Sequence, residues 1–561
     1  MDRRKFIKQS AVIIPVGFGF PSLQPGHSLL NFINASESKP ESPSLAVSAK
    51  ANGQKLEHYW SKCVGAGRAN EGLRANWLEH LSLVQEECGF QYLRFHGLFH
   101  DDMFVYREES GNPVFNWQYI DELFDRMLGI GVRPFVELGF FPKAMSEEPT
   151  CFWWGGHGTP PEDFSKWKLL VENFVKHCLV RYGDDEVHQW YFEVWNEPNL
   201  GGFWNGTQAQ YFELYKTTAV AIKAIDPALR VGGPATSSYH PEEAVYERLK
   251  SKKEITAEDF IGIECMGPWI KDFLAYCTTE NLPVDFVSSH PYPTSYPIDS
   301  AGNGLEISRP VTCTFTDIQW LRKAVAQSTY ANAGIHLTEW SSSPSPRDYT
   351  HDYLQAATYI VKVNLDCEGL ANSLSYWTFT DVFEESGAGD SIFHGGFGLI
   401  NFQGIVKPAF HAYRMLHQLG DEVLKKEEGM VVTRNSQTGK ISALFYHYPA
   451  EVIAAVPLSK GSRDIAEKTL ATGNPQKYTQ EISDQKPNTK YETEKLDQEH
   501  AFALRDWQKM GSPEPPTMEQ TQFLRDKALG TKKEQVQSDS DGTLHWEIIL
   551  SPWAVVLVKE A

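Results

Sequence analysis

Two carboxylates carry the chemistry most legible in this chain. Glu197 stands in Trp195-Asn196-Glu197-Pro198, directly after the apolar run 190–195, and Glu339 stands in Thr338-Glu339-Trp340, closing a second such run 142 positions later. Carboxyl groups at the tips of two buried strands can protonate a departing oxygen and attack the carbon it leaves, which is the chemistry of glycosidic bond cleavage. Glu193 competes with Glu197, because strand parity puts both on one face. Four strand residues span roughly 13 Å, so one tip does not hold both. Glu193 is better read as a paired carboxylate inside the fold, with Arg94 as a candidate partner. Glu137 receives the same reading.

Strand ends must hold these groups. Run 190–195 is almost continuously apolar, which suits a parallel strand covered on both faces. Thr207-Gln208-Ala209-Gln210 then has the spacing of a capping box, and Tyr211, Leu214, Tyr215, Thr218, Ile222 and Ile225 follow at helical period. Further strands are expected at 91–96, read as the first, and at 133–138, 230–233, 284–290, 335–339 and 374–379, with helical stretches at 120–128, 352–364 and 410–419. An eighth, short strand is expected between His96 and Arg133. The architecture predicted is α/β, a (β/α)8 TIM barrel over 86–421, with an open sheet as the alternative that periodicity leaves standing. Alternating runs at 431–434, 441–448, 544–550 and 554–558 predict an accessory β-sandwich over 422–561, carrying an exposed polar insertion around 464–530. Residues 36–85 are expected to lead into the barrel or to join the sandwich.

Composition bounds the partners. With 561 residues and 41% hydrophobic content the chain can bury more than one core, and a net charge of −20 argues against nucleic acid, whose phosphates demand a basic face. Sixteen Trp and twenty-three Tyr suit sugar pockets as well as cores. The eight Cys show no CxxC or His spacing, so they are read as buried hydrophobes, with no metal and no cofactor expected. Asp2-Arg3-Arg4-Lys5-Phe6-Ile7-Lys8 and the weakly apolar run after it resemble a bacterial twin-arginine export signal over 1–35, with an ordinary secretory n-region as the alternative. Either route predicts a periplasmic or extracellular product. No later run reaches the roughly 18 apolar residues of a membrane span.

Motifs in order along the chain resemble glycoside hydrolase family 39. They are Arg94-Phe-His-Gly97, His100-Asp-Asp-Met103, Phe135-Val-Glu-Leu138, Val194-Trp-Asn-Glu-Pro-Asn199, Thr338-Glu-Trp340 with Ser345-Pro-Arg-Asp348, Tyr376-Trp-Thr-Phe-Thr-Asp-Val-Phe-Glu-Glu385, Phe393-His-Gly-Gly-Phe-Gly398, Lys407-Pro-Ala-Phe410 and Met510-Gly-Ser-Pro-Glu514. The resemblance runs from Trp60 to the C-terminus. It implies a retaining double-displacement enzyme acting on oligosaccharides, with Glu197 as general acid/base after the fourth strand and Glu339 as nucleophile after the seventh. A carboxyl separation of roughly 5–5.5 Å would enforce that outcome. It also implies that Asn196 bonds the sugar 2-hydroxyl and that Tyr292, with His290 beside it, orients the nucleophile. His96, Phe140, Trp377, Glu384 and Glu385 resemble sugar-contacting positions, and which of the last two points inward is open. The family's xylosidases are often tetramers, so a homo-oligomer is among the expected states.

Substrate class is thinner. Iduronidases of the family place an Arg immediately before the Lys-Pro of the eighth unit, where this chain has Val406. That departure favours a β-D-xylosidase, exo-acting on plant or algal polysaccharide fragments of xylan or ulvan type. An iduronidase-like hydrolase and a non-catalytic exported sugar-binding protein are the alternatives. Arg347 is read as a salt-bridge partner of Asp348 or a neighbour ahead of a substrate ligand. Trp153, Trp154 and His157, in the insertion 149–161, either line the pocket or cap an adjacent loop.

Overall fold

The computed structural model describes residues 43–146, 148–252, 255–293 and 308–561. The expected export signal lies outside the described residues. Eight parallel strands close a barrel: Cys63–Arg68, Tyr92–His96, Arg133–Leu138, Tyr191–Val194, Arg230–Ser237, Phe286–His290, Gly334–Trp340 and Ser373–Tyr376. The last strand returns to the first through Tyr376 and Val64. Helices such as Gln208–Ile225, entered through the capping box of Thr207 and Gln210, cover the outside. The strands therefore bury both faces, as their apolar runs require.

The barrel starts earlier than predicted. Run 91–96 is the second strand, and the first is Cys63–Arg68, in the segment expected to be a lead-in. Between His96 and Arg133 the chain forms a small antiparallel hairpin, Tyr106–Glu109 with Asn112–Phe115, and the helix Gln118–Ile130, but no barrel strand. Cys-Val-Gly-Ala-Gly-Arg has few of the β-branched and aromatic residues that mark a strand. Its glycines answer to packing instead. A Cβ on Gly65 would stand 2.3 Å from the Trp377 ring, so a bulkier, more strand-like residue has no room there.

The accessory domain is a two-sheet sandwich. A seven-stranded sheet includes Glu422–Glu427, Met430–Arg434, Ile441–Tyr446, Lys490–Leu496 and Val555–Glu560, and it faces a three-stranded sheet of Ser44–Ser48, Gln476–Ser483 and Leu544–Leu550. Leu45, Val432, Phe445, Ile482 and Val556 fill the gap between them. The segment 464–530 is not an exposed excursion. It supplies two of these strands and the helices Arg463–Leu470, Ala503–Lys509 and Met518–Leu529, and it buries Leu470, Leu504, Trp507 and Leu524 in the core shared with the barrel. Its polar residues are the outward faces of amphipathic elements, which a composition count reads as loop. No helix among the described residues is long and apolar enough to cross a membrane.

Candidate active site

Alternation along the strands stacks the barrel interior in layers. Cys63, Tyr92, Phe135, Tyr191 and Phe286 form an apolar plug at the strand N-termini. Two residues further along the same strands come Arg94, Glu137 and Glu193, all fully buried. Arg94 Nε lies 2.8 Å from Glu193 Oε2, its Nη2 lies 3.0 Å from Glu137 Oε2, and its Nη1 lies 2.5 Å from Glu339 Oε1. The Nη2 group also donates to Asn196 Oδ1 at 2.8 Å. One cation thus organises three carboxylates, and the burial that disfavours its charge is outweighed by Glu193, Glu137 and Glu339, which hold its pKa above the usual arginine value.

Above this layer, local backbone departures aim Glu197 and Glu339 at each other. Trp195 and Glu197 have φ of 75° and 45°, sparsely populated for such side chains and costing on the order of 1–3 kcal/mol each. The Glu197 amide donates to Ala235 O at 2.9 Å, and the Asn199 side chain both donates to and accepts from the Ser237 backbone, tying the loop to the fifth strand. In the seventh strand, Thr338 and Glu339 are consecutive, yet both reach the lumen: Thr338 Oγ1 donates to Glu193 Oε1, while Glu339 meets Arg94. A register shift between Leu337 and Trp340 permits this, because a bulge breaks the alternation of faces.

Proton counting assigns the two carboxyls opposite states. Thr338 spends its hydroxyl hydrogen on Glu193, so at 3.0 Å its oxygen accepts from His290 Nε2–H. Burial pushes His290 down to about 4, so the ring is neutral and its Nδ1 carries a lone pair. That lone pair faces Glu197 Oε1 at 2.7 Å, a contact satisfied when Glu197 is a protonated carboxylic acid. Burial raises Glu197 to about 7, in agreement. Glu339 has the reverse surroundings. Its Oε1 accepts from Arg94 and its Oε2 accepts from the Tyr292 hydroxyl at 2.9 Å, partners that select the carboxylate even though burial raises its pKa as well. One oxygen each of Glu197 and Glu339 and one nitrogen of His290 lie within 4.8 Å of one another.

The remaining expected residues separate into those that reach this centre and those that do not. His96 Nδ1 lies 2.5 Å from Glu137, and its Nε2 lies 3.3 Å from Glu385 Oε1 and 3.6 Å from Glu339 Oε1. Burial works against the His96 imidazolium, but the charge and hydrogen bond of Glu137 overcome it and raise the group to about 10. Trp377 and Phe140 pack on the His96 ring with centroids 4.8 and 6.1 Å away. Glu385 is therefore the inward carboxyl of its pair. Glu384 turns away to Arg68 at 2.9 Å and Arg74 at 2.7 Å, so it supports the wall and does not face the centre. Arg347 makes no ion pair with Asp348; it donates to the carbonyls of Pro346, Gly387 and Ala388. Trp154 and His157 are buried, Trp154 stacking on Phe152 at 5.1 Å, whereas Trp153 is exposed. All eight Cys are buried and unpaired.

The sequence alone does not point to Arg68 or Thr338. Arg68 was hidden with the unrecognised first strand. For Thr338 the signal was present, since it precedes Glu339, but simple alternation turns it outward. As for ions, the Glu197, His290 and Glu339 trio has the donor types of a metal site. Arg94 lies 2.5 Å from Glu339 Oε1 and already supplies the positive charge there.

A closed parallel barrel with two buried carboxyls brought together at its strand C-termini has the architecture of a barrel glycosidase. The chain belongs to glycoside hydrolase family 39, since the profile described as Glycosyl hydrolases family 39 matches residues 44–545. It is 36% identical over 524 residues to a beta-xylosidase of Geobacillus stearothermophilus, covering 91% of this chain and 95% of that protein. Among solved structures, the family 39 enzyme from Xanthomonas axonopodis pv. citri superposes with a TM-score of 0.79 at 31% identity, covering 94% of this chain and 98% of that one. A monomeric beta-xylosidase from Caulobacter crescentus superposes with a TM-score of 0.78 at 30% identity, covering 92% and 99%.

Proposed function

We propose that the protein is an exo-acting, retaining β-D-xylosidase with Glu197 as general acid/base and Glu339 as nucleophile. The observation that carries this reading is the pair of buried carboxyls with unlike partners, Glu197 Oε1 lying 2.7 Å from His290 Nδ1 while Glu339 accepts from Arg94 and Tyr292. In the first step the Glu197 proton passes to the glycosidic oxygen while Glu339 attacks the anomeric carbon, forming a glycosyl ester and releasing the leaving group. Glu197, now a carboxylate, takes a proton from water, which cleaves the ester and returns the sugar with its configuration retained. The approach of two carboxyl oxygens and a His290 nitrogen to within 4.8 Å of one another supports retention, because little room is left for a water between them. Asn196, its Oδ1 held by Arg94, is proposed to meet the 2-hydroxyl, and His96, Glu385 and Trp377 to surround the remaining ring.

Xylose as the sugar is supported by the beta-xylosidase relatives that match along nearly their whole length. The position where an iduronidase-like Arg would stand is Val406, a buried aliphatic side chain. The proposed substrates are short oligosaccharides from plant xylan or algal ulvan-type polymers, met outside the cytoplasm after export through the signal at 1–35. The test is hydrolysis of matched aryl glycosides. Release from the β-D-xyloside with little from the α-L-iduronide is expected; preference for the iduronide, or no release from either, would overturn the reading.

A further inference from the structure

One aromatic side chain beside the loop that carries Glu385 is left uncovered by the packing around it. Among the sixteen Trp, Trp153 is the most exposed, with 53% of its surface accessible. Its neighbours turn inward: Phe152 stacks on the His96 ring at 5.6 Å, and Trp154 packs beneath on Phe152 and edge-on to His100 at 4.9 Å. A single exposed hydrophobic residue ordinarily needs no explanation. Trp153 differs in how firmly it is held and where. Its amide donates to Glu385 O at 2.7 Å. Its ring lies on the turn at Gly387, where an added Cβ would stand 3.8 Å from Cδ1 and φ is +74°. Arg347 clamps that same turn by donating to the carbonyls of Gly387 and Ala388 at 3.1 and 3.3 Å.

We propose that Trp153 is the platform of a leaving-group subsite, on which the sugar unit beyond the scissile bond stacks through its apolar face. The proposal rests on the xylosidase reading and extends it to the part of the substrate that departs. Contacts run from the reacting centre to the Trp153 main chain: Glu339 to His96, His96 to the Glu385 carboxyl, and the Glu385 carbonyl to the Trp153 amide. An indole fixed along its backbone offers a flat apolar face at little entropic cost, and a pyranose with equatorial hydroxyls offers the matching one. Arg347 acts here as a positioning residue for the turn, which explains why its guanidinium is spent on carbonyls.

The test compares xylobiose, whose leaving sugar reaches the platform, with β-D-xylosyl fluoride, whose leaving fluoride does not. In Trp153→Ala the ratio of kcat/KM on xylobiose to kcat/KM on the fluoride is expected to fall about tenfold, equivalent to roughly 1.4 kcal/mol. Trp153→Phe should restore most of it, since a smaller aromatic face remains. An unchanged ratio, whether both substrates suffer equally or neither does, would overturn the platform while leaving the xylosidase reading intact. Failure of the wild-type enzyme on both substrates would overturn the reading and the platform with it.

Discussion

Two buried charge clusters differ in whether their hydrogen bonds close. Lys407 Nζ is matched three times, by Asp352 Oδ1 and Asp381 Oδ2 at 2.9 Å each and by Gly396 O at 2.7 Å. The spare aspartate oxygens accept from the Gly395 and Gly398 amides. Every ammonium proton has an acceptor, and the two aspartates outweigh burial to hold Lys407 above its usual value. The pocket around Glu197 and Glu339 is also buried, but Glu197 lacks a cation of its own and keeps its proton to about pH 7. A closed cluster holds loops together; an open one keeps a proton available for transfer. Burial is common to both, so the number of donors per carboxyl sets the difference.

The widest separation between the clusters is expected in turnover. Glu339→Gln should lower kcat by at least about 10⁴-fold with every leaving group, because no nucleophile remains. In kcat/KM, which reports the step that expels the leaving group, Glu197→Gln should cost about 10²- to 10⁴-fold on xylobiose and far less on xylosyl fluoride, which needs no proton to depart. Steady-state kinetics on the two substrates would check both, and equal losses for the two Glu197→Gln measurements would remove its role as acid. Next comes stability. Lys407→Met strands two buried carboxylates and should destabilise the fold by about 3–5 kcal/mol, read from urea unfolding. A loss below about 1 kcal/mol would mean that the cluster is not closed as described. The smallest effect is on pH. Because burial raises Glu197 to about 7 and the first step uses its protonated form, kcat/KM should fall as pH rises through that value. That alkaline limb should be absent when the wild-type enzyme is measured on the fluoride, whose departure needs no proton.

What was readable in the sequence follows from how locally each feature is encoded. Strands such as Tyr191–Val194 and Phe286–His290 announce themselves by apolar runs, and Glu197 and Glu339 by standing at their ends. The pairing of Glu193 with Arg94 was also legible, since strand parity and the cost of an unpaired buried charge both demand it. Cys63–Arg68 was missed because its composition answers to Trp377, more than 300 residues away, and not to strand propensity. The inward turn of Thr338 depends on a bulge, which no periodicity shows. The choice between Glu384 and Glu385 needed Arg68 and Arg74 in place. Residues 464–530 misled because outward-facing polar side chains outnumber the few buried ones that dock the segment.

The central claim is that Glu339 attacks and Glu197 gives the proton, and trapping the covalent intermediate tests it most directly. In a 2-deoxy-2-fluoro-β-D-xyloside the fluorine slows both steps and an activated leaving group speeds only the first again, so the glycosyl enzyme should accumulate. Mass spectrometry of the digested protein is expected to place one fluoroxylosyl unit on the peptide that contains Glu339. The same mass on the Glu197 peptide, or release of xylose with inverted configuration and no label, would contradict the account.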